Sequence, residues 1–177
     1  MERFDLRIPD CQVRTYRVSD AESLATHANN RKVWLNLRDA FPHPYTLDDA
    51  RAFIHAALAR TPQTHFAIAV DGQAVGGIGF RLHEDVERVS AEIGYWLGEP
   101  FWGRGIVTEA LIAVTAHAVR AHGLTRVFAV PFAWNPASLR VLEKAGYVRE
   151  GVMRRSAIKD GRVIDQILYA RVVPPNV

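Results

Sequence analysis

Cysteine occurs once in these 177 residues, at Cys11. No disulfide can therefore form within the chain, and no zinc site can be built on several thiolates. A lone cysteine is most often a small buried apolar side chain. No apolar run is long enough to span a bilayer. The opening Met1-Glu2-Arg3-Phe4-Asp5-Leu6-Arg7 carries acids and has no apolar stretch, which does not suit a secretory signal. A cytoplasmic protein without membrane association is expected. The arginines are dispersed, with no basic block and no interleaved aromatic stripe, which argues against nucleic acid as a partner. The seven histidines form no i, i+4 pair with a carboxylate motif, so no metal is expected.

What is present is ordinary globular composition, with 49% apolar and 23% charged residues. The length suits a single domain over 1–177 with a real core. A formal charge of +3 and a pI near 9.3 suit a protein that handles an anionic ligand.

Helix and strand patterns mix throughout, which predicts an α/β (α+β) fold. A strand is expected over Val13–Val18 and a helix over Ala21–Ala28 after Ser19-Asp20. A further helical piece is expected over Lys32–Leu37. Phe41-Pro42-His43-Pro44-Tyr45 cannot be helical. Thr46 caps the next helix, whose apolar face is Ala50, Phe53, Ile54, Ala57 and Leu58. His65–Val70 and Ala74–Leu82 read as a hairpin closed by Asp71-Gly72. Arg88–Leu97 reads as a long third strand. A helix from about Gly105 to Ala121 ends at Gly123, and Thr125–Val130 follows as a strand. Pro136 opens a short helix to Lys144. A strand begins at Gly146–Arg149, and the last runs near Val163–Val172 after a turn at Asp160-Gly161. Pro174-Pro175 marks the expected end of regular structure.

The chemistry concentrates after the third strand. Glu92-Ile93-Gly94-Tyr95-Trp96-Leu97 runs through Gly98-Glu99-Pro100 into Phe101-Trp102-Gly103-Arg104-Gly105-Ile106-Val107-Thr108-Glu109-Ala110. A strand, a glycine-bearing loop and a helix start in succession can bind phosphate. The first helical turn has unpaired N–H groups, and the helix dipole adds positive charge there. Glycine lets a phosphate approach the backbone. Arg104 can add a charge-assisted contact. The loop is neither Gly-x-Gly-x-x-Gly nor a Gly-Lys-Ser/Thr P-loop, so the dinucleotide and nucleoside-triphosphate fingerprints are absent. Alone, two glycines also read as a tight turn.

A second element follows: Asn135-Pro136-Ala137-Ser138, then Leu142-Glu143-Lys144-Ala145-Gly146-Tyr147. With Trp-Gly-x-Gly and Thr-Glu-Ala before it, the chain resembles the GNAT superfamily of acyl-CoA N-acyltransferases. It is most similar to the branch of ribosomal-protein N-terminal (alanine/serine) acetyltransferases. Phe41–Tyr45 and the stretch from Asp160-Gly161 to Tyr169 add to the likeness, which covers nearly the whole chain. The resemblance implies a mixed, mostly antiparallel twisted sheet flanked by helices, with a V-shaped split between the two central strands. It implies acetyl-CoA as cosubstrate, a primary amine as acceptor, and a homodimer. The acceptor is a protein N-terminal α-amine or a small amine such as a polyamine, aminoglycoside or amino-acid-like metabolite. A non-catalytic acyl-CoA-binding module is the competing class.

By the same resemblance, Gly103, Arg104, Gly105, Ile106, Val107 and Thr108 hold the CoA pyrophosphate. Tyr95, Trp96 and Leu97 pair by backbone with the pantetheine arm. Asn135 bonds the pantetheine, and Ser138 sits near the thioester sulfur. Three positions depart from the family pattern: Trp102 opens the loop, Val107 closes it, and Leu142 stands where many members carry a general-acid tyrosine. Glu92 is the candidate base that deprotonates the amine, or else a structural carboxylate paired with an arginine. Ser138 is the candidate proton donor to the thiolate, or else a capping or cofactor-positioning hydroxyl. Asn135 reads either as a CoA contact or as an N-cap alone. Glu109 reads as a first-turn residue that favours the dipole. His43 and Tyr45 line the acceptor pocket or belong to a connector, and Asp165 binds the acceptor amine or serves strand pairing.

Overall fold

The computed structural model describes residues 2–173, so Pro174-Pro175 lies outside the described residues. The strands are β1 (Arg3–Asp5), β2 (Cys11–Arg14), β3 (His65–Val70), β4 (Gln73–Leu82), β5 (Ser90–Leu97), β6 (Arg126–Ala129), β7 (Val148–Lys159) and β8 (Arg162–Val172). The helices are α1 (Ala21–Ala28), α2 (Arg31–Trp34), α3 (Leu47–Ala59), α4 (Ile106–His122) and α5 (Pro136–Lys144). The strands form one mostly antiparallel sheet in the order β1-β2-β3-β4-β5-β6-β8-β7. β5 and β6 pair in parallel, because α4 supplies the long crossover that a parallel pair needs. Among the described residues, no helix is long and apolar enough to cross a membrane.

The chain divides into two compact units. The first comprises the chain up to Gly79 together with Tyr95–Ala110. Its helix α3 begins with a capping box, in which Thr46 Oγ1 accepts from Asp49 N and Asp49 accepts from Thr46 N. Ala50, Ile54 and Ala57 are buried with Leu24 and Ala28 of α1 and with Tyr16 and Tyr45. Leu58, expected on that apolar face, is 38% exposed, since it sits at the margin of the stripe. A Cβ on Gly76 would lie 2.4 Å from the Trp96 carbonyl oxygen, so the approach of β5 to β4 demands glycine there.

The strand expected over Val13–Val18 is shorter and earlier, at Cys11–Arg14. Asp20 is the cause. Its carboxylate takes both guanidinium nitrogens of buried Arg14 at 2.8 Å and accepts from Arg17 N at 2.7 Å. The chain therefore turns at Val18–Asp20, and the expected strand cannot run on through Val18. The helix expected over Lys32–Leu37 starts one residue earlier, because Asn30 caps it by accepting from Lys32 N at 2.8 Å. Tighter turns, Asn36 N to Val33 O and Leu37 N to Trp34 O, continue to Leu37.

The second unit comprises Phe80–Gly94 and the chain from Leu111 onward. Its β5–β6 register runs Ser90↔Arg126 to Glu92↔Phe128 and stops there. Ala91, Ile93, Val127 and Ala129 are buried on one side of these strands. Thr115 Oγ1 and Tyr147 Oη share a buried hydrogen bond of 2.6 Å.

Burial pushes the Tyr147 phenol up to about 12, opposed by the Thr115 hydrogen bond and Arg171. An unfolded tyrosine titrates near 10, so the folded state holds this proton more tightly. The stability it contributes is complete below pH 10 and disappears as pH rises toward 12, a loss of roughly 2 kcal/mol. Urea unfolding across that window is expected to show a shallower decline for Tyr147→Phe than for the parent. At neutral pH the variant should be about 1 kcal/mol weaker, through the lost hydrogen bond. Parallel declines for the two proteins would contradict this assignment.

Candidate active site

The loop after β5 is shaped by two glycines and two braces. Gly103 and Gly105 both sit at φ +77°, a conformation that side-chain-bearing residues rarely adopt. Among the described residues, a Cβ on Gly103 would meet nothing within 4 Å, and one on Gly105 would meet only Ile8 Cδ1 at 3.7 Å. The loop backbone is thus open on its outer side. Glu109 N donates to Gly105 O at 3.2 Å, the first helical bond of α4. The N–H groups of Ile106, Val107 and Thr108 consequently have no acceptor within the helix. Ile106 is buried, Val107 and Thr108 are half-buried, and Arg104 is exposed with its guanidinium 5.7 Å from the Phe101 ring. This arrangement fits a pyrophosphate: glycine at the closest approach, bare amides, the positive helix end and one cation.

The braces escaped sequence reasoning. The Trp102 indole N–H donates to Leu97 O at 2.7 Å, tying the loop to the end of β5. Trp102 therefore fills its unusual place as a strut. Glu99 accepts from Asn30 Nδ2 at 2.8 Å and pairs with Lys32 Nζ. Hydrogen bonds from Lys32 and then Asn30 hold its carboxyl below the usual range. Neither contact has a local signal, since the partners of Glu99 lie 67 and 69 residues away. Glu109 stands in the first turn of α4, as expected, with Arg7 Nε 3.8 Å away.

Tyr95 and Trp96 are half-buried and Leu97 is buried at the end of β5. Trp96 packs edge-on to Phe41 at 5.5 Å. Tyr45 is buried against Phe41, and burial with Asp49 pushes its phenol up to about 12, which marks a core residue. His43 is exposed and stacks on Trp34 at 5.5 Å.

The other candidates belong to the second unit. Glu92 is 16% exposed and accepts from Arg81 Nη2 at 2.8 Å, so the pairing with an arginine exists. Asn135 caps α5, with Oδ1 accepting from Ser138 N at 3.1 Å. Its Nδ2 has no partner among the described residues. Ser138 is half-buried in the first turn of α5. Leu142 is fully buried, so the position where the resemblance puts a general-acid tyrosine is a core position here. Asp165 accepts from Arg155 N at 2.8 Å, a side-chain contact from β8 to β7.

The model of the acetyltransferase (GNAT) domain matches residues 11–148. The chain belongs to this family. GNAT enzymes are N-acetyltransferases that use acetyl-CoA. The probable N-acetyltransferase YjcK of Bacillus subtilis is 32% identical to the chain over 173 residues, covering 93% of this chain and 94% of that protein. The ribosomal-protein-serine acetyltransferase of Escherichia coli is 32% identical over 108 residues, 61% of this chain. The chain spans 60% of that relative's length, and 57% of the length of another, the Bacillus subtilis N-acetyltransferase YoaA. In structure, Mycobacterium smegmatis RimJ in complex with CoA-disulfide superposes with a TM-score of 0.85 at 24% identity, over 97% of this chain and 87% of that one. The GNAT fold expected from the motifs is the fold observed.

Proposed function

We propose that this GNAT chain transfers an acetyl group from acetyl-CoA to a primary amine, and that the amine is a protein N-terminal α-amine. The observation that carries the reading is the Gly103-Arg104-Gly105 loop, with both glycines at φ +77° before the bare amides of α4. Acetyl-CoA supplies the activated thioester. Gly103 to Thr108 bind its pyrophosphate, and the backbone of Tyr95–Leu97 aligns the pantetheine arm. Asn135 spends Oδ1 on its helix cap, which leaves the Nδ2 protons for a pantetheine carbonyl. Glu92 takes the proton that the ammonium acceptor must lose, and Ser138 returns one to the departing thiolate. The ribosomal-protein acetyltransferases among the relatives favour the N-terminal acceptor over a small amine. Residues 1–177 act as one cytoplasmic N-acetyltransferase domain, and the family region at 11–148 draws on both units. The homodimer implied by the resemblance belongs to the same reading.

The test is thiol release from acetyl-CoA against ribosomal-protein N-terminal peptides, polyamines, aminoglycosides and amino acids. Release is expected with the peptides. Release only with a small amine would replace the acceptor. Silence across the panel with acetyl-CoA still bound would favour a non-catalytic binding module.

A further inference from the structure

The hairpin β7–β8 contains an irregularity that the transfer chemistry leaves unused. Its register passes from Met153↔Gln166 to Ala157↔Ile164. Arg154, Arg155 and Ser156 therefore stand opposite Asp165 alone, two residues more than regular pairing would place there. Such bulges re-aim side chains. Arg155 sits at φ +52°, a conformation that costs a non-glycine residue about 1 kcal/mol. The bulge is pinned from several directions. Arg155 N donates to Asp165 Oδ1 at 2.8 Å, and Ser156 Oγ donates to Met153 O at 2.8 Å. Glycine would adopt this backbone without strain, so an arginine here draws attention to its side chain.

The hairpin is also basic. Residues 148–172 carry six Lys and Arg against three Asp and Glu. Asp165 is engaged in the bulge, and Glu150 with Arg126. Arg154 and Arg155 are exposed, and among the described residues no carboxylate pairs with either guanidinium. The bulge is fastened to the segment that leads into α5. Ala133 N donates to Asp165 O at 3.0 Å, Ile167 N to Pro131 O at 3.0 Å, and Gln166 Nε2 to Val130 O at 3.3 Å. That segment ends at Asn135, the proposed pantetheine contact. Two guanidiniums are thus held on a braced backbone, with their support continuous with the reaction site in this unit.

We propose that the Arg154–Arg155 bulge recognises carboxylates of the acceptor polypeptide, so that the preferred substrate carries acidic residues shortly after its N-terminal amine. The inference rests on the N-terminal acetyltransferase reading. Guanidinium forks match carboxylates in geometry and charge. A single-stranded nucleic acid would want open aromatic faces for its bases, whereas the nearby Trp134 ring already carries Arg162 at 5.4 Å.

The test uses paired peptides that share their first residues and differ downstream, Asp and Glu in one and Asn and Gln in the other. At low ionic strength the acidic peptide should show a KM about ten-fold lower, and the advantage should shrink as salt is added. The double variant Arg154→Ser, Arg155→Ser should lose the preference while turning over the neutral peptide as the parent does. Asp165→Ala, which unpins the bulge but keeps both arginines, should lose most of it. Equal KM values for the two peptides in the parent would overturn the proposal and leave the acetyltransferase reading intact. Fluorescence anisotropy with both peptides and a single-stranded RNA covers the case of no turnover. Binding of the acidic peptide that is lost in the double variant would then support the surface and sink the activity. Arginine-dependent binding of RNA alone would overturn the surface's assignment to polypeptide.

Discussion

A Gly105→Val protein is expected to bind acetyl-CoA about 1,000-fold more weakly while retaining its fold. The expectation separates what the side chain does to the protein from what it does to the ligand. Within the protein a Cβ at this position has room, with Ile8 Cδ1, at 3.7 Å, as the one contact within 4 Å among the described residues. The cost to folding is the backbone strain of a β-branched residue at φ +77°, on the order of 1–3 kcal/mol. For the ligand the change is larger. Relief of that strain turns the peptide planes that carry the first amides of α4, and the new side chain stands where a pyrophosphate would approach. Loss of two hydrogen bonds to a charged group, each roughly 2 kcal/mol, corresponds to about a thousand-fold. Calorimetric titration with acetyl-CoA, beside circular dichroism of the free protein, checks both halves. Affinity within a few-fold of the parent, in a folded variant, would remove the phosphate assignment of Gly103 to Thr108.

Glu92→Gln should lower kcat by about 1,000-fold and leave acetyl-CoA affinity unchanged. General base catalysis is commonly worth roughly 100- to 10,000-fold, and glutamine keeps the shape but cannot take the proton. Glutamine Oε1 can still accept from Arg81 Nη2, so the strand contact survives. The competing role predicts something different. The pair with Arg81 has one highly exposed partner, 70% against 16%, and such pairs contribute about 1 kcal/mol or less. If Glu92 serves only that pair, Glu92→Gln changes kcat by a few-fold at most, and Arg81→Ala produces the same small effect. A large loss for Glu92→Gln with a small one for Arg81→Ala assigns the base.

Much of the architecture was legible before folding, wherever the signal is local. The expected spans Ala21–Ala28, His65–Val70 and Pro136–Lys144 coincide with α1, β3 and α5. In each case cap chemistry, apolar period or a flanking turn lies within a few residues. Gly123 and the turn at Asp160-Gly161 were readable for the same reason, and each adopts positive φ. The three-residue β1 was not readable, because an edge strand that short has no period. The sequence allows Asn135 two roles, and the structure displays the capping one, which Ser138 N completes.

By itself the sequence determined the succession of elements, the glycine loop at the head of α4, and the family to which the loop and the Asn-x-x-Ser element belong. These follow from spacing along the chain, which survives in an unfolded polypeptide. Only the tertiary structure decided which partners the polar groups take. Lys32 and Asn30 clasp Glu99, the Trp102 indole ties the loop to β5, and Asp165 holds Arg155 in a bulge. Those choices depend on distance and direction between residues remote in sequence. A hydrogen bond exists only when both are met to within a fraction of an ångström and a few tens of degrees.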